Sequence, residues 1–323
     1  MTSTLVTGGA GFIGSHLVGD LLAKGHRVRV LDNFSSGRRE RLEPFSGEIE
    51  IVDGDLRSRQ TVREAVHGVD FVLHQAAVPS VPQSVEDPVT TNDVNVGGTL
   101  NLLEAARDSG VRRLVNASSC SVYGDGETVP KTEDMVPEPI SPYAVSKLTG
   151  EYYCRVFSHL YGFETVSLRY FNVFGPGMDP GSEYAAFIAI FTVGLIEGRP
   201  LTINGDGTFV RDFTYVGNVV DANIRALEAE GVSGEVFNVG CGANTSLNEV
   251  VEILRKLLQT EGDIRHGPER PGDIRRSLAG IDKSRRKLGY VPRVPAREGL
   301  ERTVEWYRNG GRGSRTGRGE RSG

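Results

Sequence analysis

The stretch TLVTGGAGFIGSHLVGDLL (4–22) limits what this chain can fold into more than any other. A short apolar run enters a turn with glycines at 8, 11 and 14, and Ile13, Leu17, Leu21 and Leu22 then recur at helical spacing. A strand, a glycine-rich turn and an amphipathic helix in that order make a phosphate cradle. The chain turns tightly, its backbone can approach a pyrophosphate, and the helix N-terminus favours negative charge. The GxxGxxG spacing of Gly8, Gly11 and Gly14 departs from GxGxxG but serves the same physics. Asp32 ends the next strand-like run at the ~20-residue interval where a carboxylate accepts hydrogen bonds from a ribose diol. The same charge repels a 2′-phosphate, which favours NAD over NADP.

The first half of the chain repeats this alternation. STLVT (3–7), RVRVL (27–31), IEIV (49–52), VDFVLH (69–74) and RRLVNAS (112–118) read as strands, and Leu100, Leu103 and Ala106 mark a helix before the last of them. The fold class expected is α/β, a Rossmann-type doubly wound parallel sheet with a smaller C-terminal substrate-binding lobe. Residues 1–170 form the dinucleotide domain, with parts of 205–240 returning to it, and 171–308 form the lobe. GPGMDPG, EGRP and NGDG mark turns in that lobe, and 309–323 form a disordered glycine and arginine tail.

Composition narrows the function classes. A net charge of −5 exerts no global pull toward nucleic acid or anionic membrane, so neither is expected as a partner. The chain begins without a basic and apolar leader and holds no uninterrupted apolar run near ~18 residues. Cys120, Cys154 and Cys241 are widely spaced, form no metal-ligand pattern and suit a reducing compartment, so the expected location is cytoplasmic.

Residues 141–147, SPYAVSK, place Ser141 and Pro142 as the cap and first residue of a helix, with Tyr143 and Lys147 on one face. A phenol with an ordinary pKa near ~10 beside an ammonium is favoured in its ionised form and can act as a base. The spacing alone also fits an ordinary helix with a packed tyrosine and a solvated lysine.

TGGAGFIG (7–14), LDN (31–33), DGDL (53–56), HQAA (74–77), SSCSVYG (118–124) and SPYAVSK together resemble the extended short-chain dehydrogenase/reductases. FNVFGPGMDP (171–180), LTINGDGTFVRDFTYV (201–216) and RPGDIRRSLAGIDKS (270–284) resemble, within that group, the UDP-glucose/UDP-N-acetylglucosamine 4-epimerases. The resemblance implies Tyr143 as acid/base, Lys147 as holder of the nicotinamide ribose and depressor of the tyrosine pKa, and Ser119 as hydrogen-bond partner of the sugar O4. It implies an NAD site of Gly8, Gly11, Phe12, Ile13, Gly14, Asp32, Asn33, Asp55, Leu56, Ala76, Ala77, Ser118 and Tyr170 with Tyr143 and Lys147. Asn172, Arg211, Arg270 and Asp273 are implied to grip the nucleotide. Ser277 is implied to line the sugar pocket, where a small side chain leaves room for an acetamido group. A homodimer through helices around 90–108 and 142–160 is implied as well.

Relatives of this group also catalyse dehydration and decarboxylation, and dehydratases need a further acid/base pair. Cys120 and Ser121 stand where dehydratases carry carboxylates. The expected reaction is therefore 4-epimerisation of a UDP-hexose with NAD, UDP-glucose/UDP-galactose and also the N-acetylated pair. The alternatives are a UDP-glucuronic acid 4-epimerase or another nucleotide-sugar enzyme, and a non-catalytic NAD(H) sensor. The stretch EYAAFIAIF (183–191) offers no cation for a uronate. His74, at the end of an apolar strand, is read as a hydrogen-bonded structural residue.

Overall fold

The computed structural model describes residues 1–180, 187–269 and 276–311. Its strands are β1 Ser3–Thr7, β2 Arg27–Asp32, β3 Ile49–Asp53, β4 Phe71–His74, β5 Arg113–Ser119, β6 Glu164–Tyr170, β7 Val173–Phe174, β8 Leu201–Asn204, β9 Val210–Arg211, β10 Thr214–Tyr215, β11 Glu235–Val239, β12 Thr245–Ser246, β13 Ile264–Gly267 and β14 Arg276–Ser277. The helices are α1 Phe12–Ala23, α2 Arg59–Val66, α3 Val81–Glu86, α4 Pro88–Asn92, α5 Gly98–Asp108, α6 Pro142–Tyr161, α7 Phe187–Ile196, α8 Val216–Glu228, α9 Leu247–Leu258, α10 Asp282–Leu288 and α11 Ala296–Arg308.

Seven strands form one parallel sheet in the order β11-β6-β5-β4-β1-β2-β3. The five strands read from the sequence all lie in it. Successive side chains on a strand point to opposite faces, and here both faces are covered. Leu5, Val72 and Leu114 pack with Val62, Leu102 and Phe157 of α2, α5 and α6. Their neighbours Val6, Leu73 and Val115 pack on the other face with Leu17 and Leu21 of α1 and Val219 of α8. Such strands read as continuous apolar runs because neither face meets water.

The chain reverses direction across the sheet between β1 and β4, and there the turns after the two strands diverge into a crevice. β11 joins the sheet beside β6, while α7, α9, β8 and α11 gather around a separate apolar cluster that includes Phe191, Leu201, Leu254 and Val304. In this region Arg211 and Ser277 lie in register on β9 and β14 of a small three-stranded sheet completed by β12. Among the described residues no helix is long and apolar enough to cross a membrane.

Candidate active site

The turn after β1 forms the floor of the crevice. Gly8 adopts φ +69°, and a Cβ there would stand 2.7 Å from the backbone N of Ala76, at the start of the turn after β4. Gly14 in α1 lies so close to the same turn that a Cβ would stand 2.1 Å from the Gly8 carbonyl oxygen. Gly11 precedes α1 with no side-chain cap, and the first turn of the helix, with Phe12 and Ile13, carries no acidic residue. The helix's first N–H groups therefore keep their electropositive edge for an anion.

Asp32 ends β2 beside this turn and is almost fully buried. Its Oδ2 accepts from the Ala10 N–H at 2.9 Å and its Oδ1 from the Phe34 N–H at 2.8 Å. The carboxylate is thus fixed to the cradle, and its oxygens retain lone pairs for a diol. Asn33 donates to Asp55 Oδ2 at 2.8 Å, and Arg57 bonds both oxygens of the same carboxylate. Those Arg57 bonds hold Asp55 well below the usual carboxylate range. Leu56 is buried where Gly98 of α5 leaves it room. A glycine cradle closed to any side chain, a helix N-terminus and a fixed carboxylate on the ribose side fit NAD. Ala76 and Ala77 line the adjoining turn.

The second half of the site sits over the end of β5. Ser141 caps α6 by accepting from the Ala144 N–H at 3.1 Å, with Pro142 as the first helical residue, as the sequence predicts. This start places Tyr143 and Lys147 one turn apart, facing β5. Tyr143 lies beside Ser119, whose hydroxyl draws the phenol pKa down. Lys147 Nζ donates to the Ala117 carbonyl at 2.9 Å and stands 5.9 Å from the centre of the Tyr143 ring.

The sequence expectation that Lys147 lowers the tyrosine pKa is corrected here. Burial pushes Tyr143 up to about 12, offset in part by Ser119, and burial lowers Lys147 to about 8. Desolvation of the charged form outweighs the ammonium at this distance, so the phenol of the protein alone is protonated at neutral pH. Spacing along a helix does not report burial, which is why the sequence missed this.

Cys120 links the two halves of the site. Its half-buried thiol lies against Ser277 and the backbone of Asn172 and feels the charge of Arg211, so three residues expected to grip substrate converge next to Ser119. Asn172 holds φ +28° and donates from Nδ2 to the Asp212 carbonyl at 3.1 Å. Arg270, Asp273 and part of EYAAFIAIF lie outside the described residues. Ser118 turns its hydroxyl away from the crevice to Glu151, and the buried Tyr170 hydroxyl bonds Gln75 and Asn223. From either residue only the backbone or the ring can face a cofactor.

His74 is structural, as read. The Thr99 hydroxyl donates to the Asn95 carbonyl at 2.6 Å and so accepts from His74 Nε2–H at 2.9 Å; Nδ1 then accepts from Thr7 at 2.7 Å. Burial lowers its pKa to about 3, so it is neutral.

Two residues that the sequence did not single out organise the site. Asn95 bridges the turn after β4 to α6, pairing with both backbone groups of Val78 and donating to Ser146 Oγ at 3.0 Å. Asp212, fully buried, accepts from the N–H groups of Cys241, Gly242 and Ala279 at 2.7, 2.9 and 3.1 Å, and its own N–H donates to the Ser277 carbonyl. Its adjacency to Arg211 in VRDF is the only hint the sequence offers.

The profile of the NAD dependent epimerase/dehydratase family matches residues 4–240. The chain is 43% identical over 314 residues to the UDP-glucose 4-epimerase of Mycolicibacterium smegmatis, covering 95% of this chain and 98% of that one. Among solved structures it is similar to the UDP-glucose 4-epimerase of Thermotoga maritima with UDP-glucose, at 38% identity and TM-score 0.91 over 96% of this chain and 99% of that one. It is similar also to the UDP-N-acetylglucosamine 4-epimerase of Methanobrevibacter ruminantium in complex with UDP-N-acetylmuramic acid, at 37% identity and TM-score 0.91 over the same shares. Cradle, fixed carboxylate and likeness over nearly the whole chain agree: the chain is an NAD-dependent enzyme and belongs to the NAD-dependent epimerase/dehydratase family.

Proposed function

We propose that the enzyme interconverts UDP-hexoses at C4, UDP-glucose with UDP-galactose and also UDP-N-acetylglucosamine with UDP-N-acetylgalactosamine. The observation that carries this is the convergence of Ser119, Tyr143 and Lys147 beside a turn that supplies no carboxylate. Bound NAD supplies the acceptor and donor of hydride for the sugar C4. The acting form is the phenolate, reached by loss of the Tyr143 proton to solvent; it takes the O4 proton and later returns it to the same oxygen, so one ionisation serves successive cycles. Ser119 holds O4 in line with the phenol, and Lys147, charged below about pH 8, stabilises the phenolate. Dehydration would need a second acid/base in the turn. Burial raises the Cys120 thiol above its ordinary range, and Ser121 is a plain alcohol, so neither serves.

Residues 1–170 with α8 and β11 are the NAD-binding part of this reading, and the lobe from 171 to 308 holds the UDP-sugar through Asn172, Arg211, Arg270 and Asp273. Ser277 is buried against Cys120, one residue from Ser119, which supports its lining the sugar pocket. Its small side chain leaves space for an acetamido group.

The working form is a homodimer. Val81 and Val85 of α3, Val89 of α4, and Val145, Tyr152, Val156 and Leu160 of α6 are large apolar side chains left exposed on adjoining helices. This face lies on α3, α4 and α6; no large apolar side chain of α5 is exposed. A second copy of the same surface would cover it.

The test is NMR of the purified protein with a panel of UDP-sugars and no added cofactor. Tyr143→Phe should lower turnover by about 10²–10⁴-fold while leaving the fold intact. Unchanged turnover would discard the assignment. Absence of activity on the acetamido pair in the unmodified enzyme, or equal effects of Ser277→Tyr on both pairs, would discard the Ser277 reading.

A further inference from the structure

On the face of α6 that carries Tyr143 and Lys147, the next residue at the same four-residue step is Glu151. Its carboxylate is buried where a Rossmann core ordinarily places apolar side chains. Oε1 accepts from Ser118 Oγ at 2.5 Å and from Arg169 Nε at 2.8 Å, and Oε2 accepts from Arg169 Nη2 at 2.7 Å. Ser118 and Arg169 face each other in the β5/β6 register, one residue before Ser119 and Tyr170. The helix therefore meets β5 at three consecutive residues: Tyr143 at Ser119, Lys147 at the Ala117 carbonyl, and Glu151 at the Ser118 hydroxyl.

Arg169 also reaches the other side of the reacting groups. Its guanidinium lies 4.6 Å from the centre of the Tyr123 ring, and the Tyr123 hydroxyl donates to Asn238 Oδ1 of β11 at 2.7 Å. Tyr123 closes the 3₁₀ turn Cys120–Tyr123 that follows Ser119. One arginine thus braces both the helix that presents the phenol and the turn that presents its serine partner. A buried ion pair commonly stabilises a fold no better than an apolar pair of the same volume. What two apolar side chains cannot supply is direction: a forked guanidinium on a carboxylate fixes rotation and register together.

The geometry points to Glu151 and Arg169 as positioning residues that set the Tyr143–Ser119 alignment for proton transfer, rather than as a stability element. This rests on the proposed role of Tyr143, and the experiment separates the two. In Glu151→Leu/Arg169→Met both charges are removed at once, so none is left buried without a partner. The double variant should fold, retain its NAD and keep KM for UDP-glucose within about threefold, while kcat falls about 10–100-fold because the reacting groups lose alignment. Glu151→Asp keeps the charge but shortens its reach by one methylene. It should lower kcat by more than about fivefold at unchanged KM, and it decides the matter if the double variant does not fold. Wild-type kcat in a folded, NAD-loaded double variant, or in Glu151→Asp, overturns the inference. A parallel loss of KM and kcat together with NAD would also overturn it, since that is the signature of a merely structural role. Tyr143→Phe in the native background is the control. If it too keeps full turnover, the role of Tyr143 has failed; if it abolishes turnover while both variants keep theirs, only the inference has.

Discussion

Gly14→Ala adds one methyl group where α1 lies directly against the backbone of the glycine turn. The new Cβ would stand 2.1 Å from the Gly8 carbonyl oxygen and 2.8 Å from Gly8 C and Gly9 Cα. All three are backbone atoms, so no side chain can swing aside. The gap must open by roughly 1 Å, either by lifting α1 off the turn or by opening the turn itself. The turn is tied by the Gly8 N–H to the Leu31 carbonyl at 2.8 Å and by the Gly11 N–H to the Gly8 carbonyl at 3.0 Å. Overpacking of this kind costs about 1–3 kcal/mol, and losing the two hydrogen bonds adds about 1 kcal/mol each, for an expected loss of about 3–5 kcal/mol. The same opening moves the N-terminus of α1 from its place over the cradle, so bound NAD should fall to a small fraction of the wild-type content. Urea unfolding measures the first effect and the nucleotide released on denaturation the second. Gly150→Ala is the matched control in α6. Its nearest new neighbour is Asn116 Nδ2 at 3.6 Å, an ordinary contact, so alanine should stabilise the helix by about 0.5–1 kcal/mol with NAD unchanged. A Gly14→Ala protein with full NAD content and a loss under about 1 kcal/mol would refute the cradle argument.

Two further outcomes are expected. Burial raises the Asp212 pKa from 3.8 to about 6 even though backbone N–H groups bond it. A carboxyl shifted upward contributes stability that is fully present below its unfolded value and lost as the pH rises through its folded value. Between pH 4 and pH 7 the wild type should therefore lose about 2 kcal/mol relative to Asp212→Asn, which does not titrate, and a constant difference across that range in urea unfolding would contradict this. Val85→Glu/Val156→Glu places charge in the exposed apolar face and should convert a dimer to monomers in sedimentation velocity; wild-type protein that sediments as a monomer at micromolar concentration would remove the dimer altogether.

The strands β1, β4 and β5 and the helices α1 and α5 were legible because the physics that buries them leaves a period in the sequence, while RVRVL and IEIV toward the sheet edge were legible by β-branched residues alternating with charge. A parallel strand covered on both faces is apolar at every position, and a helix between sheet and solvent is apolar every third or fourth. β6 and β11 escaped for the converse reason. ETVSLRY is broken by Arg169 and EVFNV by Asn238, yet both polar groups are buried and paired, with Glu151 and with Tyr123, Lys131 and Gly280. A charge in an apolar run argues against a buried strand until its partner is known, and the partner of Arg169 lies 18 residues away on another element. The two-residue strands β7, β9, β10, β12 and β14 carry no period at all; they exist through pairing between distant segments.

The candidate site divides along the same line. Where the proposed chemistry needs a particular side chain, the sequence carries a sign of it: Asp32 by its interval from the glycine turn, Tyr143 and Lys147 by their spacing joined to the family resemblance, and Ser119 by that resemblance alone. Where it needs only backbone, the sequence is silent. The carboxylate of Asp212 accepts from N–H groups of Cys241, Gly242 and Ala279, and any residue but proline would supply these. The hub that ties Asn172, Arg211 and Ser277 together consequently has no signature beyond one aspartate. The misjudged tyrosine has the same origin. An ammonium four residues along is visible in the sequence, whereas the water excluded by β5, α3 and the turn after Ser119 is not. In a buried site that missing water moves a phenol further than one nearby charge does. Any reading of acid–base chemistry from helical spacing therefore gives the identity of the proton carrier and leaves its pKa to be set by the fold.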